Sequence, residues 1–403
     1  MIGRRRNGVP LLPRAIGALL LLAALGHGGL LLAAPFVPAD DAMVLERGLP
    51  SADPRVRLIR RFAARLAARP DDLQLAMRLA EIQLAMGVAE ADPRFIGNAE
   101  ASLARWWHDP APVALLVLRG RIFEAKHAYA DAQRELRAAL KADSGNIQAL
   151  IVLANVDDVT GDLAEAESAC ATVARLRPGL LATACLASVD SLTGHAAQSY
   201  RRLKEAVERQ PSLNTDVQIW ALTILGEIGW RLDEPDADRF FKAALAFDRR
   251  NIYVLTTYAD YLRDHGRFGE IPPLLHGMKA VEPLYLRLAL AAQALGDARL
   301  SAYRKDLAAR YEEARRQGDI LHLRGAARFA LGIEHDPRQA VALATRNWAV
   351  QHAPVDARVL VEAAWAAHDP AAARPIAEWV AKTHLEDKMI ARRLDALGFR
   401  PQG

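Results

Sequence analysis

Ile147–Leu180, IQALIVLANVDDVTGDLAEAESACATVARLRPGL, is the stretch that decides the fold. In its first half Leu150, Leu153 and Ala154 recur at helical spacing. Gly161-Asp162 supplies a turn, because glycine tolerates the positive φ needed there. In its second half Leu163, Ala166, Cys170 and Val173 share one face, and Pro178 stops the run. The spacing predicts two short helices joined by a tight turn. Such a hairpin cannot bury its apolar face alone, so the fold depends on whether the unit recurs.

It does recur. Gly161 and Gly194 are 33 residues apart, as are Pro178 and Pro211. The tripeptide His335-Asp336-Pro337 returns as His368-Asp369-Pro370 at the same offset, and Asp-Pro suits a helix cap followed by a first turn. The expected units are a partial one at 54–70, then 73–112, 113–146, 147–179, 180–213, 216–251, 252–283, 284–318, 321–353 and 354–385, with a cap at 386–398. In 73–112, Gly87 is read as the turn, with six extra residues around Ala89 to Arg94 lengthening the loop. In 252–283, Pro272-Pro273 should shift or shorten the start of the second helix rather than break its middle.

Leu150-x2-Leu153-Ala154-x2-Asp157, then Ala166-x3-Cys170, then Pro178, follows the signature W-x2-L-G-x2-Y, A-x3-F, P with smaller residues in place of aromatics. ADRFFKAALAFDRRN, with Ala237, Phe241, Ala244 and Asp248, is closer still. On these residues the chain resembles the tetratricopeptide-repeat (TPR) family over about residues 54–398, most strongly over 113–283. The resemblance implies an all-α fold: a right-handed α-solenoid of about eight or nine TPR-like helix pairs with terminal capping helices and a concave groove.

Composition agrees with helices that approach closely: 52% of residues are hydrophobic and only 6% aromatic. The net charge of +4 sits at the N-terminus, in Arg4, Arg5, Arg6 and Arg14. Residues 39–403 then carry 48 basic and 48 acidic side chains, which leaves no basic footprint for nucleic acid. Residues 15–38 are long and apolar enough for a membrane span, with arginines on the cytoplasmic side. Two readings compete: an uncleaved anchor, or a signal peptide with Leu32-Ala33-Ala34 before its cleavage site. Pro35 hinders cleavage and favours the anchor. Residues 1–38 are thus a signal-anchor or signal peptide and 39–53 a linker. The high Ala and Arg usage suggests a bacterium, so the expected location is the inner membrane, single-pass, with a periplasmic C-terminal domain; the alternative is a soluble periplasmic protein after signal cleavage.

No HExxH, GxSxG, P-loop or CxxC pattern is present. His322, His335, His352, His368 and His384 are spaced 13 to 17 residues apart, which suits turns and surfaces better than a metal site. Asp157 is expected at a helix–helix contact and Asp158 in the groove, not as a catalytic pair. No catalytic, cofactor-binding or metal residue is assigned, and no cofactor is expected. Cys170 and Cys185 fall on helices adjacent in a TPR stack. In an oxidising compartment they could bridge if their Cα atoms lie within ~7 Å; otherwise they are buried thiols.

In this register the first helices turn Arg121, Glu124, Gln148, Asn155, Asp158, Tyr253, Asp260, Arg263, Asp264, Arg358 and Glu362 into the groove. The mixed signs argue against one highly charged ligand. The Lys/Asn/Arg set by which some TPR domains clamp a C-terminal carboxylate is absent: Asn155 could stand for one member, but Ile151 occupies the place for a lysine. The resemblance implies a non-enzymatic scaffold that binds a protein or peptide partner in its groove, for assembly or maturation of an envelope complex. The alternative is an exported TPR protein serving polysaccharide synthesis or export, for which Trp220, Trp230 and Tyr253 would be the aromatic platform.

Overall fold

A computed structural model of the protein describes residues 53–108, 110–209, 211–278, 281–318 and 320–399. Among the described residues there are 20 α-helices and no strand. A lone α1 (Pro54–Ala68) is followed by antiparallel pairs: α2 (Leu73–Glu90) with α3 (Pro93–Ser102), α4 (Val113–Ala125) with α5 (Tyr129–Ala142), α6 (Ile147–Thr160) with α7 (Leu163–Leu176), and α8 (Leu180–Asp190) with α9 (Ala196–Arg209). The series continues with α10 (Thr215–Leu232) and α11 (Ala237–Phe247), α12 (Ile252–Asp264) and the short α13 (Ile271–Leu274), and α14 (Glu282–Leu295) and α15 (Leu300–Arg316). It ends with α16 (Leu323–Gly332) and α17 (Pro337–Trp348), α18 (Pro354–Ala366) and α19 (Pro370–Thr383), and a closing α20 (Lys388–Ala396). This is a TPR-like α-solenoid.

Local chemistry sets the helix ends. The Asn146 side chain caps α6 by accepting the Ala149 N–H at 3.0 Å. Gly161 adopts φ +87°, which lets the Asp162 N–H close back on the Asp157 carbonyl at 2.7 Å. The two His-Asp-Pro tripeptides do identical work. His335 and His368 both take φ +54°, and Asp336 and Asp369 accept N–H groups of Gln339 and Ala372 at 2.9 and 3.2 Å. Pro337 and Pro370 then start their helices.

Two local expectations need correcting. Gly87 is not the turn of its pair. It lies inside α2, and a Cβ there would stand 2.7 Å from Ile96 Cγ1, so it is glycine for close packing. The left-handed position is Ala91, at φ +49°. Of the six extra residues, Ala89 and Glu90 lengthen α2, Pro93 and Arg94 open α3, and only Ala91 and Asp92 lie between, because Ala and Glu are strong helix formers and Pro suits a first turn. Next, Pro272-Pro273 does occupy the first turn of a second helix, but that helix is only 4 residues long. A 3₁₀ turn, Phe268–Glu270, precedes it, and Gly277 at φ +79° follows.

The solenoid returns on itself. The His352 N–H donates to the Val159 carbonyl at 2.7 Å, and His352 lies 3.4 Å from where a Cβ of Gly161 would be. One repeat later, His384 lies 3.1 Å from the same point on Gly194, and the Ala196 N–H donates to Glu386 Oε2 at 2.6 Å. One apolar cluster therefore joins Leu150, Val173 and Leu192 to Trp348, Leu360, Ile376 and Leu394.

No helix among the described residues is long and apolar enough to cross a membrane. This overturns the expected location in an inner membrane through a single-pass anchor. The 18-residue helices α2 and α10 are each interrupted by charge: Arg78 and Glu81 in one, Glu227 and Arg231 in the other. The stretch 15–38 on which that expectation rested, and the linker after it, lie outside the described residues.

Candidate functional site: a charged inner cavity

The first helices of successive pairs meet around an inner cavity of about 330 Å³. Its walls come from the turn after α2, from α10, α12, α14, α16 and α18, and from Tyr311 of α15. A smaller cavity of about 150 Å³ adjoins it, and Trp230 and Arg358 line both.

Charged side chains cross this interior as a ladder from one first helix to the next. Tyr253 of α12 donates to Glu227 of α10 at 2.6 Å. Asp260 of α12 accepts two bonds from Arg287 of α14, at 2.5 and 3.1 Å. Arg324 and Arg328 of α16 pair with Asp356 (3.2 Å) and Glu362 of α18. Arg358 of α18 donates to Asp387 at 2.8 Å, just before α20. The same arginine reaches across the interior to Asp264 of α12 at 3.4 Å and lies 4.0 Å from the Trp230 ring centroid. A guanidinium suits this place because it stays charged and combines several donors with a stacking face.

The environment splits the acids into two kinds. Arg287 and Arg263 hold Asp260 well below the usual carboxylate range against the opposing effect of burial. Arg328 and Arg263 likewise lower Glu362. Asp158 and Glu124 lack such partners, and burial pushes each up to about 7 despite Arg231 and Arg121 nearby. Burial also raises Glu227 and Tyr253, although 61% of the Tyr253 surface remains exposed.

The side chains expected in the groove divide accordingly. Asp260, Arg263 and Arg358 line the larger cavity, and Asp158 and Tyr253 the smaller one. Asp264 and Glu362 stand behind the arginines as their acceptors. Arg121, Glu124 and Asn155 are half-buried, Gln148 is exposed, and none of the four lines either cavity. Asp157 is buried and accepts from Gln133 at 2.7 Å on the preceding second helix.

Sequence reasoning missed Glu227, Arg231, Arg287, Arg324, Arg328, Asp356 and Asp387. A signal existed for most of them. Glu227/Arg231 and Arg324/Arg328, like Asp260/Asp264 and Arg358/Glu362, are charges four residues apart on otherwise apolar first helices.

Cys170 of α7 and Cys185 of α8 are joined, with Cα atoms 5.4 Å apart, and both are buried in the apolar cluster. Among the described residues no group of three or more His, Cys, Asp or Glu is placed to hold a metal. His335, His368 and His384 serve as left-handed helix ends, and His352 packs on Trp348. Of the three aromatic candidates for a sugar platform, Trp220 sits between two core clusters, whereas Trp230, beneath Arg358, and Tyr253 both line the smaller cavity.

No family model and no curated protein matches the chain. Solved structures do resemble it. A tetratricopeptide repeat protein from Parabacteroides merdae is 17% identical over 57% of this chain and 92% of that one, with a TM-score of 0.37. Yeast Tom70 is 14% identical over 86% and 84%, at 0.39. Human IFIT1, solved as a dimer with m7Gppp-AAAA, is 14% identical over 85% of each chain, at 0.43. These are distant likenesses of fold. The TPR-like class of this chain rests on its own nine helix pairs among the described residues.

Proposed function

We propose that this protein is a non-enzymatic scaffold that takes a segment of a protein or peptide partner into its inner cavity. The carrying observation is the convergence of five first helices on one space of about 330 Å³. That volume lies at the small end of ligand pockets and suits a few residues rather than a whole domain. The interior combines apolar wall with charges already held in place, so little ordering cost falls on binding. The Cys170–Cys185 pairing supports an oxidising compartment as the place of action, and the partner is then sought among proteins of that compartment.

Site-specific photocrosslinking tests the reading. A photoreactive residue at Val355, which lines both cavities, should capture a defined partner, whereas one at Leu176, exposed on a second helix, should not. Equal capture at both positions, or capture at Leu176 alone, would refute binding in the interior.

A further inference from the structure

The larger cavity has a pronounced charge asymmetry. Five guanidinium groups line it, from Arg263, Arg287, Arg324, Arg328 and Arg358, against two carboxylates, Asp260 and Glu282. Most of the acids that balance these arginines stand outside the lining: Asp264, Asp356, Glu362 and Asp387. The acids orient the guanidinium planes from behind, and the wall they present inward is donor-rich.

The donors are not used up. Arg324 leaves 40% of its side-chain surface open to the interior, and its one contact with Asp356, at 3.2 Å, engages Nη1 alone. Arg358 is 2% exposed, and its Nη2 has no acceptor. The Thr256 hydroxyl, on the same wall, is also buried without a partner. A buried donor left unmade costs about 1–3 kcal/mol, and the protein's own side chains supply these donors with no acceptor. Beside these donors lie Val88, Ile96, Leu286, Val355 and Val359, which form an apolar wall.

We infer that the partner segment carries a carboxylate next to an apolar side chain, and that Arg324 contacts this carboxylate directly while Arg358 holds the wall behind it. The inference rests on the reading of the cavity as a peptide site. A planar two-oxygen acceptor matches the guanidinium fork. A polyphosphate or nucleic acid matches less well, since Asp260 and Glu282 line the same small space and would repel extended negative charge.

The test uses the full chain and an array of random hexapeptides, each synthesised twice, with a free C-terminal carboxylate and as the amide, and with or without one internal aspartate. Retention should favour carboxylate-bearing members at least about tenfold, the size of one charge-assisted hydrogen bond. Arg324→Gln should abolish that preference in protein whose helix content by circular dichroism matches the parent. Arg324→Lys should keep part of it. Peptides retained without regard to carboxylate, or a preference unchanged in Arg324→Gln, would overturn the carboxylate inference and leave the peptide site standing. Retention of a single-stranded RNA oligonucleotide in preference to every peptide would overturn both, as would retention of no peptide at all.

Discussion

The pairs α6–α7 and α12–α13 begin alike and end differently. Asn146 and Asn251 cap their first helices with the same bond, to Ala149 N–H at 3.0 Å and Val254 N–H at 3.1 Å. Gly161 and Gly266 turn the chain at φ +87° and +69°. Then α7 runs for 14 residues, while Pro272-Pro273 opens a helix of only 4. Their interiors differ too. Asp158 of α6 faces the cavity with no arginine bonded to it, and Asp260 of α12 is gripped by Arg287. Both units are packed into apolar clusters; one adds a covalent staple, the other a buried charge pair. Equivalent local sequence therefore does not imply an equivalent means of cohesion.

The comparison can be broken most severely at the ladder. Asp260→Ala removes the acceptor of Arg287 and strands a guanidinium that is only 11% exposed. We expect a loss of about 3 kcal/mol or more in urea unfolding, because an unpaired buried charge costs far more than the pair contributes. Asp158→Ala, at an acid with no such partner, should cost less than a third as much. Equal losses would show that the two interiors are not different.

The staple comes next. The double variant Cys170→Ala/Cys185→Ala should unfold about 2–3 kcal/mol more easily, through the larger entropy of the unstapled chain. A reductant should lower the urea midpoint of the parent protein and leave the double variant unmoved.

A smaller effect has opposite sign in the two units. The folded pKa of Asp158 is raised from its ordinary 3.8 to about 7. Its stabilising contribution is full below about pH 4 and is lost as the pH rises through 7. Asp158→Asn should therefore be more stable than the parent at pH 8, by about 1–2 kcal/mol after allowing for water in the cavity, and about equal at pH 4. Asp260 behaves in reverse. Its pKa is lowered, so its contribution is present at neutral pH and is lost as the pH falls below about 4. Unfolding midpoints across pH 2–8 distinguish the two.

The smallest expected effect is common to both units. Asn146→Ala and Asn251→Ala each delete one cap bond and should each cost about 1 kcal/mol. A large difference between them would mean that the shared opening is not local in origin.

The units were legible in the sequence because helix ends are local chemistry. Asn before an apolar run, Gly at its end and Asp-Pro at the next start act within a few residues, and the 33-residue echo multiplies the signal. Gly87 misled for a physical reason. A glycine that admits Ile96 and a glycine that turns the chain look the same in sequence, and only the packing of α3 on α2 tells them apart. The groove was legible in part. Helical register gives the direction of a side chain, so Asp158, Tyr253, Asp260, Arg263 and Arg358 were identified as inward-facing. It does not give what stands opposite.

By itself the sequence determined the class of fold, a count of eight or nine helix pairs and the placement of Cys170 and Cys185 on adjacent helices, since each follows from periodicity and nearest-neighbour stacking. Only the tertiary structure decided that the last pairs return onto the middle ones. That return brings Arg358 to Asp264 across 94 positions of chain and narrows the expected groove to a partly open cavity. Closure depends on small rotations summed over many repeats, and no single repeat encodes that sum.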